Sequence, residues 1–207
     1  MTDRIGEKME GSPINWNEYR TNYSCMSFSE IGEFYHTLDR HFPDQEKLNV
    51  DNFVTLFDIT DGPHKVIELG CHNGSRSRKV VKRVESIDSW TGYDFDMFDG
   101  TSNGRYKFKP LTDWFHNTEL PEFNTFVSSH TLEHLSNEQA LETLRNISGK
   151  AKYIFLQLPL TEHGEDWHNR WNAHIMTWGM DKLRSVLIEL GYKLFYENNG
   201  TTGWESL

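Results

Sequence analysis

Two stretches of the chain combine residue types that bind ligands and move protons. The first holds a carboxylate, two glycines and three small or polar residues between the glycines. Its members are Glu68, Leu69, Gly70, Cys71, His72, Asn73 and Gly74. Glycines let a backbone approach a ligand closely, and free N–H groups at the start of a following helix attract polar or negative groups. The pattern E-x-G-x-x-x-G is neither the dinucleotide fingerprint nor the P-loop, but it is typical of a turn that holds a nucleotide-like ligand.

A second carboxylate, Asp94, follows at an informative distance. It ends a predicted strand about 20 residues after Gly74, where nucleotide-binding βαβ units place an acid that accepts hydrogen bonds from ribose hydroxyls. A carboxylate suits two vicinal hydroxyls because it has several acceptor sites. We therefore expect Asp94 to bind a ribose and Phe95 to pack on a base, the alternative being an ordinary surface aspartate that begins a turn.

The second stretch brings two imidazoles close to a carboxylate. His130, Glu133 and His134 form H-x-x-E-H, which is also a zinc-protease signature. A protease of that kind needs both histidines on one face of a helix. Here the motif straddles the end of a predicted strand, and Ser136 caps the next helix only afterwards. The sequence therefore argues against a metalloprotease.

A third region, residues 161–178, is dense in tryptophan and histidine. A histidine with its ordinary pKa near 6.5 can take a proton from an oxygen or nitrogen acceptor. His130, His168 and His174 are the candidates for this general base, and the sequence does not choose among them. The tryptophan-rich region is expected either to form a wall of an acceptor pocket or to pack over the sheet.

Short apolar strands alternating with amphipathic helices would position these residues, which predicts an α/β protein. The predicted strands are Val66–Leu69, Ser89–Asp94, Arg105–Lys109, Thr125–Ser128, Ala151–Leu158, Tyr192–Tyr196 and a last strand that begins near Trp204. The predicted helices are Ser27–Phe42, Val50–Phe57, Ser75–Val84, Ser136–Ile147 and Asp181–Leu190. In the first helix, Phe28, Ile31 and Tyr35 share one apolar face. Residues 1–26 show no clear periodicity.

Three motifs together resemble a known family. E-x-G-x-x-x-G resembles motif I of the class I S-adenosylmethionine-dependent methyltransferases, usually written [DE]-x-G-x-G-x-G, with His72 in place of the middle glycine. S-S-H-T-L-E-H-L, residues 128–135, resembles the fourth-strand motif of many small-molecule members. Residues 174–192 resemble the segment after their fifth strand, so the resemblance covers roughly residues 60–207. It implies a Rossmann-like, doubly wound, mostly parallel seven-stranded sheet with a C-terminal antiparallel hairpin.

The resemblance also implies a function. The protein would bind S-adenosyl-L-methionine and transfer its methyl group to an oxygen or nitrogen of a small-molecule acceptor. Residues of motif I and of the fourth-strand motif would hold the methionine part, Asp94 the ribose, and Asp113 the adenine amino group. The residues implied to bind the cofactor are Glu68, Gly70, Cys71, His72, Asn73, Gly74, Asp94, Phe95, Asp113, Ser128 and Ser129. Residues 1–60 would form an N-terminal segment with lid-like helices, and residues 61–207 the methyltransferase domain.

A divalent metal is a further implication of the resemblance. Small-RNA 2′-O-methyltransferases and ubiquinone-pathway O-methyltransferases carry E-x-x-E-H at this place and bind a metal there. By that likeness His130, Glu133 and His134 would bind a metal, and His168 or His174 would complete the set. Imidazole with carboxylate suits Mn, Fe, Co or Zn better than Mg. The alternative is that Glu133 and His134 are structural, as in relatives that have L-E-H and no metal.

Composition limits the partners. The chain has 207 residues and a formal net charge of −10, so electrostatic attraction to nucleic acid is not expected to drive binding. No apolar run approaches a membrane span, and residues 1–8 lack the apolar segment of a signal peptide. Two cysteines make no disulfide framework. We expect a cytoplasmic protein with a small-molecule acceptor, the other hypotheses being a metal-assisted RNA methyltransferase and a non-catalytic module that binds S-adenosylmethionine.

Overall fold

The computed structural model describes residues 16–41, 48–95, 100–159 and 174–207. Seven strands form one sheet in the order β3-β2-β1-β4-β5-β7-β6. The strands are β1 (His64–Leu69), β2 (Ile87–Phe95), β3 (Tyr106–Leu111), β4 (Thr125–Ser129), β5 (Tyr153–Gln157), β6 (Tyr192–Asn198) and β7 (Thr201–Ser206). Strands β1 to β5 pair in parallel, while β7 runs antiparallel to both β5 and β6. The predicted doubly wound sheet with a C-terminal antiparallel hairpin is confirmed.

Six α-helices are seen in the described part of the chain. They are α1 (Trp16–Asn22), α2 (Phe28–His41), α3 (Val50–Asp58), α4 (Ser75–Arg83), α5 (Asn137–Ile147) and α6 (Met180–Glu189). Helix α1 is the one that the sequence does not predict, because its short segment has no apolar periodicity. The predicted capping box at the start of α5 is present, since Ser136 Oγ accepts from Gln139 N at 3.2 Å and Gln139 Oε1 accepts from Ser136 N at 2.9 Å. No helix in these ranges is both long and apolar enough to cross a bilayer.

Both faces of the sheet are covered by helices. Successive strand residues point to opposite faces, so Val66 of β1 packs with helices α3 and α4, while Ile67 and Leu69 pack with α5 and α6. Fully buried aromatic rings, among them Phe57, Trp90 and Phe126, fill the two layers. This two-sided burial explains why the parallel strands read as short, nearly continuous apolar runs.

The two motif-bearing strands are neighbours at the centre of the sheet. Strand β1 pairs with β2 on one side and with β4 on the other, and Leu69 stands opposite Ser128. The chain leaves β1 toward β2 and later returns to place β4 on the other side. Ligands of doubly wound sheets bind in the crevice outside the carboxyl ends of the strands at such a point. The fold therefore brings the two predicted motifs to one edge.

Close packing explains the glycines near this edge. A Cβ at Gly70 would lie 1.7 Å from Thr131 Oγ1, so the turn after β1 packs directly on the turn after β4. Cβ atoms at Gly74 and Gly92 would lie 2.2 Å and 2.4 Å from Tyr106 Oη. The buried Tyr106 ring thus supports the glycine turn from below, and no larger residue fits above it.

We expect Gly92→Ala to destabilise the fold by about 1–3 kcal/mol, because overpacking a tight core forces its neighbours to move. Tyr106→Phe in the same background should recover part of the loss, since it removes the atom nearest to the new methyl group. Urea unfolding of both variants measures this, with Ser89→Ala at an exposed position of the same strand as the control. Equal stability of Gly92→Ala and the parent protein would contradict the packing described here.

Candidate functional site

A cavity of about 210 Å³ lies at the carboxyl ends of β1, β2 and β4. We call it the crevice. It is lined by Gly70, Asp94 and Ser129 at the strand ends, by His130 just after β4, and by Tyr35 of helix α2. Residues from both sequence motifs therefore face the same space.

The turn after β1 takes the left-handed backbone conformation three times. Gly70, His72 and Gly74 have φ values of 81°, 50° and 71°. Gly74 N donates to Cys71 O at 2.9 Å, and α4 begins immediately afterwards. His72 adopts this conformation although it has a side chain, which costs about 1–2 kcal/mol for an ordinary residue. His72 therefore holds a backbone conformation that favours glycine.

Asp94 is fixed at the wall of the crevice by two backbone amides. Its Oδ2 accepts from His72 N at 2.5 Å and its Oδ1 accepts from Phe95 N at 2.8 Å. Only 9% of the residue is exposed. The first bond links the end of β2 to the glycine turn, so the carboxylate and the turn form one rigid unit.

Glu68 lies beneath that turn and is almost fully buried. Its carboxylate accepts from Ser77 Oγ at 2.9 Å and from Trp90 Nε1 at 2.7 Å. Burial raises the pKa of Glu68 to about 7, although the two hydrogen bonds oppose the shift; the nearby charge of Asp94 adds to it. The group therefore titrates near neutral pH.

A cluster of histidines around a carboxylate adjoins the crevice at His134. Ligand atoms of Glu133, His134 and His174 all lie within 4.8 Å of one another. His174 lies close to Glu133 and His134 because its neighbours Ile175 N and Met176 N both donate to the backbone oxygen of Glu133, at 3.0 Å and 3.1 Å. We call these three residues the Glu133 cluster.

Glu133 is a fully buried carboxylate among imidazoles. Neither of its oxygens has a hydrogen bond of normal geometry within the described residues, and His130 Nδ1 lies 3.4 Å from Oε1. Burial raises the pKa of Glu133, but His130 and the charges of His134 and His174 together outweigh burial, so the net shift is downward. The buried carboxyl of Glu133 thus lies among the imidazoles of His130, His134 and His174.

Helix α2 and the turn before it form part of the wall of the crevice. Tyr35 makes an edge-on contact with His134 at 5.3 Å between ring centroids and lies nearly parallel to Phe95 at 6.0 Å. Tyr23 anchors the segment, since its hydroxyl donates to Gln139 Oε1 at 2.8 Å. The sequence motifs do not include Tyr35. Its place on the apolar face of a predicted helix indicates only that the side chain faces the interior.

The predicted site residues divide into two groups. Those that line the crevice are Glu68, Gly70, Cys71, His72, Asn73, Asp94, Phe95, Ser129, His130 and His134. Gly74 packs on Tyr106, Ser128 is buried within β4, and His174 joins the Glu133 cluster. The carboxylate of Asp113 accepts from Trp114 N at 2.7 Å and from Asn117 Nδ2 at 3.1 Å, within its own turn. His168 lies outside the described residues.

Comparisons with known proteins identify the fold. No family model matches the sequence, and no curated protein matches it. Solved structures do match. One is magnesium protoporphyrin IX methyltransferase from Synechocystis PCC 6803 with bound SAH, at 13% identity and a TM-score of 0.60, covering 87% of this chain and 100% of that one.

Two further solved structures show how widely this fold is used. The methyltransferase domain of bacterial CtHen1-CN matches at 16% identity and a TM-score of 0.55, covering 76% of this chain and 97% of that one. The [4+2]-cyclase SpnF matches at 17% and 0.56, covering 70% of this chain, which spans 59% of the cyclase. At these identities the likeness shows a shared fold, and that fold hosts more than one reaction.

The buried carboxyl of Glu68 makes stability depend on pH. Its pKa of about 7 in the folded protein lies above the ordinary value of 4.5, so the folded state binds the proton more tightly than the unfolded state. Stability should therefore fall as the pH rises from about 4.5 to 7. Because Glu68→Gln stays neutral, it should stabilise the protein by about 1–3 kcal/mol at pH 8 and by little at pH 5.

Urea unfolding at the two pH values tests this expectation. Glu85→Gln, at an exposed position, is the matched control and should change stability equally at both. A Glu68→Gln effect that is independent of pH would show that the carboxyl does not titrate in this range.

Proposed function

We propose that the protein is an S-adenosylmethionine-dependent methyltransferase that acts on an oxygen or nitrogen of a small-molecule acceptor. The observation that carries the proposal is the meeting of the glycine turn, Asp94 and the β4 motif in one crevice at the topological switch point. Three independent sequence signals thus converge on one space. The solved methyltransferases with the same fold support this interpretation.

The residues of the crevice suit the cofactor. Gly70 of the turn lines the crevice, and Asp94 is held in place to accept from ribose hydroxyls. Phe95 offers a flat apolar surface beside it. Bound S-adenosylmethionine supplies a methyl group on a sulfonium, which is already activated for transfer. The task left to the chain is to align an acceptor with that methyl group and to exclude water.

The wall of the crevice supports a small acceptor. Aromatic and aliphatic side chains from α2, from the end of β3 and from the segment after β3 face the cavity. They include Phe28, Ile31, Tyr35, Leu38, Leu111 and Trp114. Such walls enclose a compact, mostly apolar molecule, whereas an RNA end brings several phosphates. The net charge of −10 disfavours a polyanion further.

The Glu133 cluster supports a metal-assisted form of the same activity. A carboxylate with two imidazoles is a common ligand set for Mn, Fe, Co and Zn. Ligands on opposite sides of an ion, each about 2.1 Å away, are about 4.2 Å apart. Small side-chain rotations would therefore bring atoms within 4.8 Å into range. When bound, a divalent metal polarises an acceptor oxygen and lowers its pKa; Glu133, His134 and His174 would hold it.

Calorimetry with S-adenosylhomocysteine tests the cofactor site. We expect the parent protein to bind it and Asp94→Asn to bind about tenfold more weakly or worse, because a hydrogen bond to a charged group contributes about 1.5–3 kcal/mol. Asp88→Asn, exposed on the same strand β2, is the control and should bind like the parent. Absence of binding by the parent protein would refute the methyltransferase proposal.

Elemental analysis after dialysis against Mn, Fe, Co or Zn tests the metal. We expect about one metal ion per chain in the parent protein, and a large loss in His174→Ala and Glu133→Gln because each removes a ligand. Glu138→Gln, exposed on α5, should retain the metal. A parent protein that stays metal-free, or metal that survives both ligand changes, would contradict the assignment.

A further inference from the structure

We propose that Tyr35 is a specificity-determining residue of the acceptor site, where it selects a planar ring that lies along its own ring and directs an oxygen toward the Glu133 cluster. This inference rests on the proposed metal-assisted function. It concerns a residue of helix α2, which neither sequence motif contains.

The position of Tyr35 is the first support. Its ring contacts His134 of the Glu133 cluster edge-on, at 5.3 Å and 78°. The same ring lies nearly parallel to Phe95 beside Asp94, at 6.0 Å and 18°. Tyr35 therefore spans the part of the crevice between the cluster and the end of β2. An acceptor that extends from the cluster toward the end of β2 therefore lies beside this ring.

The ring is held firmly from behind. Tyr19 Oη donates to Tyr35 Oη at 3.2 Å, and the Tyr19 ring stacks on Phe34 at 3.6 Å and 7°. Tyr19 itself is buried. A ring fixed in this way acts as a rigid flat wall and loses little conformational entropy when a ligand binds.

The surroundings of the ring define the class of ligand. Phe28 packs on Phe95 at 4.8 Å and on Trp114 at 5.4 Å. Because Phe95 in turn lies nearly parallel to Tyr35, the crevice beside Tyr35 is lined by aromatic rings. Offset-stacked and edge-on aromatic pairs contribute about 0.5–1.5 kcal/mol beyond simple burial, which favours flat rings over chains of the same size. The predicted class is therefore a planar ring that carries an oxygen donor.

A pair of probes separates the ring from the oxygen donor. The full chain is loaded with cobalt(II) and S-adenosylhomocysteine, and probe binding is followed by cobalt absorption. The first probe, 2,3-dihydroxynaphthalene, is a planar chelator, and the second, acetohydroxamic acid, is a chelator without a ring. We expect Tyr35→Leu to weaken the first about three- to tenfold and the second not at all. Tyr35→Phe keeps the ring and should bind both like the parent.

The possible outcomes separate a failure of the Tyr35 role from a failure of the metal site or of the methyltransferase proposal. Cobalt content and S-adenosylhomocysteine affinity are measured for each variant, and the two probes are compared at equal occupancy of both. Equal weakening of both probes in Tyr35→Leu, or of neither, would overturn the role of Tyr35. If the parent protein takes up no cobalt, the metal and this inference fall together, while retained S-adenosylhomocysteine binding would leave the methyltransferase proposal standing.

Discussion

The contact between Gly70 and Thr131 is the constraint on which the site depends. A side chain at position 70 would occupy the space of the Thr131 hydroxyl, so the turns after β1 and β4 touch without a gap. Thr131 Oγ1 also donates to Ser129 O at 3.0 Å, which fixes the turn that carries His130. One steric contact therefore sets the distance between the glycine turn and the histidines.

Three buried acids at this edge are stabilised in different ways. Glu68 has one hydroxyl and one indole donor, and its pKa rises to about 7 because burial dominates. Asp94 is held by two backbone amides. Glu133 is surrounded by imidazoles that lower its pKa despite burial. These environments suit three tasks, namely supporting the turn, accepting from hydroxyls and binding a cation.

The sequence predicts what depends on local pattern. The sheet, the glycine turn and the place of Asp94 at the end of a strand are readable because apolar periodicity and residue spacing act over a few tens of residues. Tertiary contacts decide the rest. His174 joins Glu133 through backbone hydrogen bonds across about 40 residues of chain, which no spacing rule specifies. The local turn around Asp113 likewise depends on the side chain of Asn117, for which no sequence motif predicts a role.

The wall formed by α2 is built differently from the edge of the sheet that carries the glycine turn and Asp94, and this bears on the proposed function. Tyr23 Oη donates to Gln139 Oε1, and Gln139 also caps α5 only a few residues after the Glu133 cluster. The N-terminal helices thus dock on the same short segment that carries the histidines. Changes in α2 away from Phe28 and Tyr35, the two side chains that contact Phe95 beside Asp94, can reshape this wall without disturbing Gly70 or Asp94. A fold that hosts both methyltransferases and a cyclase is consistent with this separation, since a constant cofactor edge can serve a variable wall.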